Sequence, residues 1–192
     1  MKKILLTSLL AVFAVSGAQA ANYFVGGSAS LSLDDTHKNT IEVSPEIGWY
    51  YNENWDFGLN VDLGYARSDA DNGLWGYGIG GFARYKVAQF GDFKLLLKGS
   101  VGAAFATVTS NVDAIDGETT AALAASIAPM VTYDVSESLT LYANLNFLGV
   151  SASYMFENDT LGIGNDWAFN AGVDSSNVFN TGDFKVGFLY NF

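Results

Sequence analysis

Few residues in this chain are of the kinds that do covalent or metal chemistry. There is no cysteine, which excludes thiol catalysis, disulfides and lipid attachment through sulfur. The one histidine, His37, lies beside Asp34, Asp35 and Lys38. With Ser68 and Asp69 it could be drawn as general base, nucleophile and orienting carboxylate for acyl transfer. Serine and aspartate are common in polar loops, so a solvated segment is the simpler reading. Acidic residues crowd such segments: Asp34, Asp35, Asp69, Asp71, Asp113, Asp116, Glu118, Glu157 and Asp159. Their oxygens suit Ca²⁺ or Mg²⁺, but none has EF-hand spacing, and solubility with repulsion of neighbours explains them as well. Asn158-Asp159-Thr160 fits the glycosylation sequon. No catalytic, metal or cofactor residues are assigned, and the chain is not read as an enzyme.

A further set of charges sits inside apolar stretches: Glu42, Glu46 and Asp62 against Arg84, Lys94, Lys98 and Lys185. The elements that would position them alternate with period 2, as strands do. Tyr23, Val25, Ala29, Leu31 and Leu33 share one face of a first strand. Ile41, Val43, Pro45, Ile47 and Trp49 share one face of a second, with Glu42 and Glu46 opposite. The third is the cleanest: Trp55, Phe57, Leu59, Val61, Leu63 and Tyr65 against Asp56, Gly58, Asn60, Asp62 and Gly64. A fourth sets Trp75, Tyr77, Ile79, Ala83 and Tyr85 against Gly76, Gly78, Gly80, Phe82 and Arg84. Phe82 breaks the polarity of its face, and nothing in the spacing accounts for it. The fifth runs from Phe93 to Phe105, a weaker sixth from Leu123 to Tyr133, and the seventh from Leu139 to Phe147. The segment 151–182 reads as long and irregular, apart from alternation at Trp167, Phe169, Ala171 and Val173. Phe184, Val186, Phe188, Tyr190 and Phe192 then make an eighth strand. Pro45 and Pro129 fall inside proposed strands, so bulges or strand ends are expected there.

The first twenty residues have the layout of a secretory signal peptide. Lys2 and Lys3 precede an apolar run, and small residues end in Ala18-Gln19-Ala20, with cleavage expected after Ala20. The run is too short for a membrane helix, which needs about 20 apolar residues. The two domains expected are therefore 1–20, a cleaved signal, and 21–192, a single barrel. Removing Lys2 and Lys3 takes the formal charge from −11 to −13, which argues against nucleic acid and against basic-patch binding to anionic lipid.

Tight reversals near Asn52, Gly91 and Ser136 alternate with mostly longer ones near Lys38, Asp71, Asp116 and Asp166. That is the pattern of an outer-membrane barrel. A soluble carrier barrel would put the apolar face inside. However, Trp49, Trp55, Tyr65, Trp75, Tyr85 and Tyr133 sit near strand ends, where aromatic girdles meet lipid headgroups. Eight strands also leave little interior room for so many rings. The charged face is then luminal, and Glu42, Glu46, Asp62, Arg84, Lys94, Lys98 and Lys185 are expected to form a structural ion-pair network. A narrow water-lined path past Asn60, Asn144 and Asn146 is the alternative use of the interior, with Gly76, Gly78 and Gly80 leaving space.

The chain resembles small bacterial outer-membrane β-barrel proteins of the OmpA/OmpX-like type. The resemblance rests on the signal sequence, eight alternating strands, unequal reversals and a final phenylalanine. It implies an all-β, eight-stranded antiparallel up-and-down transmembrane barrel in a Gram-negative envelope, with both termini periplasmic. It also implies that Phe188, Tyr190 and Phe192 match the signal read by the barrel-assembly machinery. The stretch from Trp167 to the end also resembles small barrels of Bacteroidetes-type bacteria. The peptidoglycan-binding domain of longer OmpA proteins is not expected. Some eight-stranded outer-membrane enzymes act on lipid A acyl chains through a histidine, a serine and an acid, but the N-terminal amphipathic helix of the palmitoyl-transferring members is missing here. The expected role is structural or surface-interactive, through acidic extracellular loops, chiefly 151–182. A narrow channel or porin-like protein comes second and a lipid A-modifying acyl enzyme third. Expected partners are outer-membrane lipid, lipopolysaccharide, the assembly machinery and an unknown surface ligand; the barrel is expected to be a monomer without cofactors.

Overall fold

The computed structural model describes residues 22–33, 39–67, 72–110, 112, 115–171 and 184–192. Ten strands form one antiparallel sheet: β1 (Tyr23–Leu33), β2 (Asn39–Tyr50), β3 (Trp55–Arg67), β4 (Gly73–Phe90), β5 (Phe93–Thr109), β6 (Thr119–Asp134), β7 (Leu139–Leu145), β8 (Val150–Met155), β9 (Asp166–Ala171) and β10 (Phe184–Asn191). Strands β1 to β6 pair in chain order, β6 pairs with β7, and β10 joins β7 to β1, which closes the sheet. The result is an eight-stave barrel, because two staves are each built from two strands. β8 continues the seventh stave along β6, and β9 pairs with β8 as the outer part of the eighth.

Local chemistry sets the tight turns. Asn52 Oδ1 accepts from the N–H groups of Asn54 (2.8 Å) and Trp55 (2.9 Å), an Asx turn that starts β3. Gly91 takes φ 61° between the paired Phe90 and Phe93, a conformation that costs glycine little. The Leu139 N–H donates to Ser136 Oγ (3.1 Å) at the third turn. The Phe192 N–H donates to the Tyr23 carbonyl (3.1 Å), so the two outermost described strands meet at this same end.

Alternation divides the side chains between two environments. Leu59, Leu63, Ile79, Val101, Ile127, Val186 and Phe188 are among the apolar side chains exposed on the outside. Aromatic clusters flank this belt. Trp49, Trp55, Phe57 and Tyr85 pack together at one end, with Phe93 against Tyr133; Tyr65–Trp75, Tyr77–Phe105 and Tyr154–Trp167 lie at the other. From Phe57 to Tyr65 or from Tyr85 to Trp75 the tilted strands rise roughly 21–26 Å, close to the apolar band of a membrane barrel. An exposed apolar surface of this extent is suited to lipid and is a liability in water.

Three expectations need correction. The segment 151–182 is not one irregular loop: β8 and β9 form a hairpin, and only residues 156–165 loop between them, with a short 3₁₀ turn at Asp159–Leu161. The seventh strand expected at Leu139–Phe147 is only the first half of its stave: a 3₁₀ turn at Asn146–Leu148 inserts extra residues, and β8 continues the stave beyond it. Across it the outward positions switch from odd (Leu141, Ala143) to even (Ala152, Tyr154) numbers. Pro45 makes neither a bulge nor a strand end. The β2–β3 ladder lapses at Ser44–Pro45 and resumes in the same register, from Val43↔Leu63 to Glu46↔Asn60. Pro129 sits where β6 changes partner from β8 to β7, opposite the 3₁₀ turn, so no ladder position stands opposite it on that side. The bulge that does occur lies in β4, between Lys86 and Ala88.

Candidate functional site

The distinctive chemistry lies inside the barrel, in a buried layer towards the tight-turn end. All eight staves contribute to it: Phe24, Glu46, Asp56, Phe82 with Arg84, Leu96, Met130, Tyr142 and Leu189 are each at most 8% exposed. Glycines make room for the large members. A Cβ on Gly48 would lie 2.2 Å from Phe24 Cζ, one on Gly58 2.3 Å from Phe82 Cζ, and one on Gly187 2.4 Å from Tyr142 Cζ. Each ring thus lies over the missing side chain of a neighbouring stave. This accounts for Phe82, whose inward position looked anomalous: it fills the space over Gly58.

Arg84 is the centre of the layer and is 0% exposed. Its Nε donates to Asp56 Oδ1 (2.6 Å) and its Nη1 to Glu46 Oε1 (3.2 Å). The guanidinium carbon lies 4.6 Å from the Phe24 ring centre and 4.7 Å from that of Phe82. Lys98 stands directly opposite Arg84 in the β4–β5 ladder, a like-charge pair that would be unfavourable alone. Glu46 offsets the repulsion by reaching both cations, with Lys98 Nζ at 3.7 Å. Lys98 Nζ also lies 4.6 Å from the Phe82 ring centre.

The charged residues named from sequence are only partly brought together. Glu46, Arg84 and Lys98 form one cluster, and Lys185 pairs separately with Glu42. Lys94 makes no salt bridge to them and pairs with Asp134 (2.5 Å) at the tight-turn end. Asp62 has no cationic partner among the described residues and accepts from Asn60 Nδ2 (2.7 Å). Sequence reading left Asp56 and Asp134 out of the network. Asp56 shares the alternation of Asn60 and Asp62, which was the available signal; its pairing opposite Arg84 is set by the β3–β4 register. Asn60, Asn144 and Asn146 line a polar cavity of about 220 Å³ above the layer.

At the opposite end, described acidic side chains hold the loops together. Asp116 Oδ1 accepts from the Ser110 N–H (2.9 Å). Asn158 Nδ2 donates to Glu118 Oε2 (3.3 Å) and to the Thr119 carbonyl (3.0 Å), tying the β8–β9 hairpin to the loop before β6. Asn165 Nδ2 donates to Glu157 Oε2 (3.0 Å). Asn158 Oδ1 also caps the 3₁₀ turn, accepting from the Leu161 N–H (3.0 Å), so the sequon asparagine has a structural role here. Trp167 and Phe169 on β9 are each 74% exposed. No group of three or more acidic or histidine side chains among the described residues could hold a metal ion. His37, Ser68, Asp69, Asp34, Asp35, Asp71 and Asp113, with Ala18 and Ala20 of the expected cleavage site, lie outside the described residues.

The closed barrel, its apolar belt and its filled interior invite comparison with solved structures. The crystal structure of Neisserial surface protein A matches with a TM-score of 0.55 at 15% identity, over 90% of this chain and 98% of that one. The fold is that of the small eight-stranded outer-membrane barrels. A major outer membrane protein from Thermus thermophilus matches at 16% identity and a TM-score of 0.42, over 91% of this chain and 100% of that one. The N-terminal β-barrel domain of Pseudomonas aeruginosa OprF matches at 15% identity and a TM-score of 0.42, over the same shares. No protein-family model matches the sequence, and no curated protein does. In the closed barrel the belt is outward, as the sequence predicts, and β10 sends Val186, Phe188 and Tyr190 into it while Lys185 turns inward to Glu42.

Proposed function

We propose that the chain is a monomeric, sealed outer-membrane barrel with a structural or surface-interaction role, not a pore and not an enzyme. One observation carries this reading: every stave places a buried side chain in the luminal layer, and the charges there are paired across it. A layer of this kind supports the barrel from within and counts against the narrow-channel alternative. Contact with other molecules then falls to the loop end, where residues 156–165 between β8 and β9 carry the exposed Glu157 and Asp159, while Trp167 and Phe169, opposite the outward Tyr154 and Ala152, belong to the belt. In this reading the signal is cleaved after Ala20, the tight turns and both termini are periplasmic, and lipid and lipopolysaccharide surround the belt. The luminal charges Glu42, Glu46, Asp62, Arg84, Lys94, Lys98 and Lys185 serve structure, and Phe188, Tyr190 and Phe192 are read by the assembly machinery.

Planar-bilayer recordings test the seal: purified barrel should give no stable single-channel steps, and steps from the unmodified chain would overturn it. Orientation is testable because the chain has no cysteine. An impermeant maleimide should label Asp159→Cys on intact cells and Ser136→Cys only after permeabilisation; the reverse would invert the topology. Deleting Phe192 should lower outer-membrane yield, and normal insertion without it would make its position incidental.

A further inference from the structure

Above the sealed layer the inner wall changes character. Following the ladders outward, the inward positions of β3 to β6 become Gly78, Ala104 and Ala122, then Gly64, Gly76 and Ala106. An eight-stranded interior is normally just filled by its side chains; here a second cavity of about 360 Å³ opens, within the size range of small-molecule sites. Packing does not dictate this emptiness. A Cβ on Gly76 would meet nothing within 4 Å, and Gly76 has no positive φ that would demand glycine. Leu74 and Met155, both partly exposed, stand on its wall, and it meets the polar cavity below at Asp62 and Ala104.

The charges on its floor are unequal. Arg84 and Lys98 balance Asp56 and Glu46, and Lys185 balances Glu42. Asp62 is left over, with only the Asn60 amide as partner among the described residues. Asp62 stands where the apolar chamber meets the polar cavity that Lys98 and Lys185 also line, with neither in salt-bridge contact with it, and a carboxylate so placed gains from a cation brought to it. We propose that the outer lumen is a binding chamber for a small organic monocation, a primary ammonium on a compact apolar body, with Asp62 receiving the ammonium and the Gly76–Ala104–Ala106–Ala122 wall receiving the body. Thr120, whose Oγ1 is buried without a hydrogen-bond partner, lines the same wall.

The test uses the mature barrel in lipid nanodiscs and n-hexylammonium, with n-hexanol and hexanoate as isosteric comparators, read by calorimetry and by amide shifts at Gly76 and Ala104. Saturable binding of hexylammonium at least about tenfold tighter than hexanol is expected. Asp62→Asn should remove that preference, and Gly76→Leu, whose Cβ would meet nothing within 4 Å and whose branch would occupy the chamber, should abolish binding. Each variant is first required to show faster gel migration unheated, so that loss of binding is not loss of fold. Equal affinity for hexylammonium and hexanol, or binding indifferent to both substitutions, would show bilayer partitioning only and overturn the proposal. Conductance does not enter this test, so its outcome is separate from that of the sealed-barrel reading.

Discussion

Arg84→Met is the most informative perturbation of the barrel. The substitution keeps an unbranched apolar side chain between Phe24 and Phe82 but removes the cation that pairs with Asp56 among the described residues. Glu46 keeps Lys98 at 3.7 Å, so one carboxylate is left unpaired rather than two. Breaking a buried ion pair from one side costs about 3–5 kcal/mol. The lost ring contacts add up to about 2 kcal/mol. Against this, Arg84 Nη2 has no hydrogen-bond partner, and its removal returns part of a desolvation cost of about 1–3 kcal/mol. A net loss of about 4 kcal/mol is expected. Adding Asp56→Asn removes the stranded charge, and the double variant should lie only about 1–2 kcal/mol below the parent. Urea titration in phospholipid vesicles, followed by tryptophan emission and by gel mobility with and without heating, measures all corners of the cycle. A loss under about 1 kcal/mol for Arg84→Met, or a double variant as unstable as the sum of its parts, would refute the idea that this layer is held by charge pairing.

Three smaller perturbations probe other parts of the barrel. Gly58→Val brings a Cβ within 2.3 Å of Phe82 Cζ and 2.6 Å of the Ile47 carbonyl, and should cost about 1–3 kcal/mol in the same titration; Phe82→Leu should recover part of it, while Gly76→Ala should be neutral within about 0.5 kcal/mol. Pro129→Ala should change stability by no more than about 0.5 kcal/mol, since no ladder partner faces it across the seventh stave; a larger gain would mean that the proline costs a hydrogen bond. Asn158→Ala should raise hydrogen exchange through residues 156–165 with little change in the unfolding midpoint, because its bonds tie the outer hairpin to Glu118 and Thr119 rather than holding the staves.

Much of the architecture was legible because a strand has one simple rule. Side chains alternate, so the run Trp55 to Tyr65 declares two faces without any knowledge of its neighbours. The same rule failed where extra residues shift the alternation. The 3₁₀ turn at Asn146–Leu148 moves outward positions from odd to even, and the alternation in the sequence shows only the piece before it where the barrel has one longer stave. The outer half of the eighth stave was visible as alternation at Trp167 and Phe169, but its partner β8 was not, so it had no place in the count.

The sequence alone determined the all-β class, the eight staves, the sense of the two faces and the presence of opposed charges on the inner one. Tertiary structure decided which inner residues meet. Arg84 and Glu46 are 38 positions apart, and Lys185 and Glu42 are 143 apart. Their contacts follow from ladder register and barrel closure, which no local periodicity encodes. The same geometry seats Phe82 over Gly58, packs a buried layer across the lumen at one level, and places Asp62, hydrogen-bonded by Asn60, beneath a chamber walled by glycine and alanine.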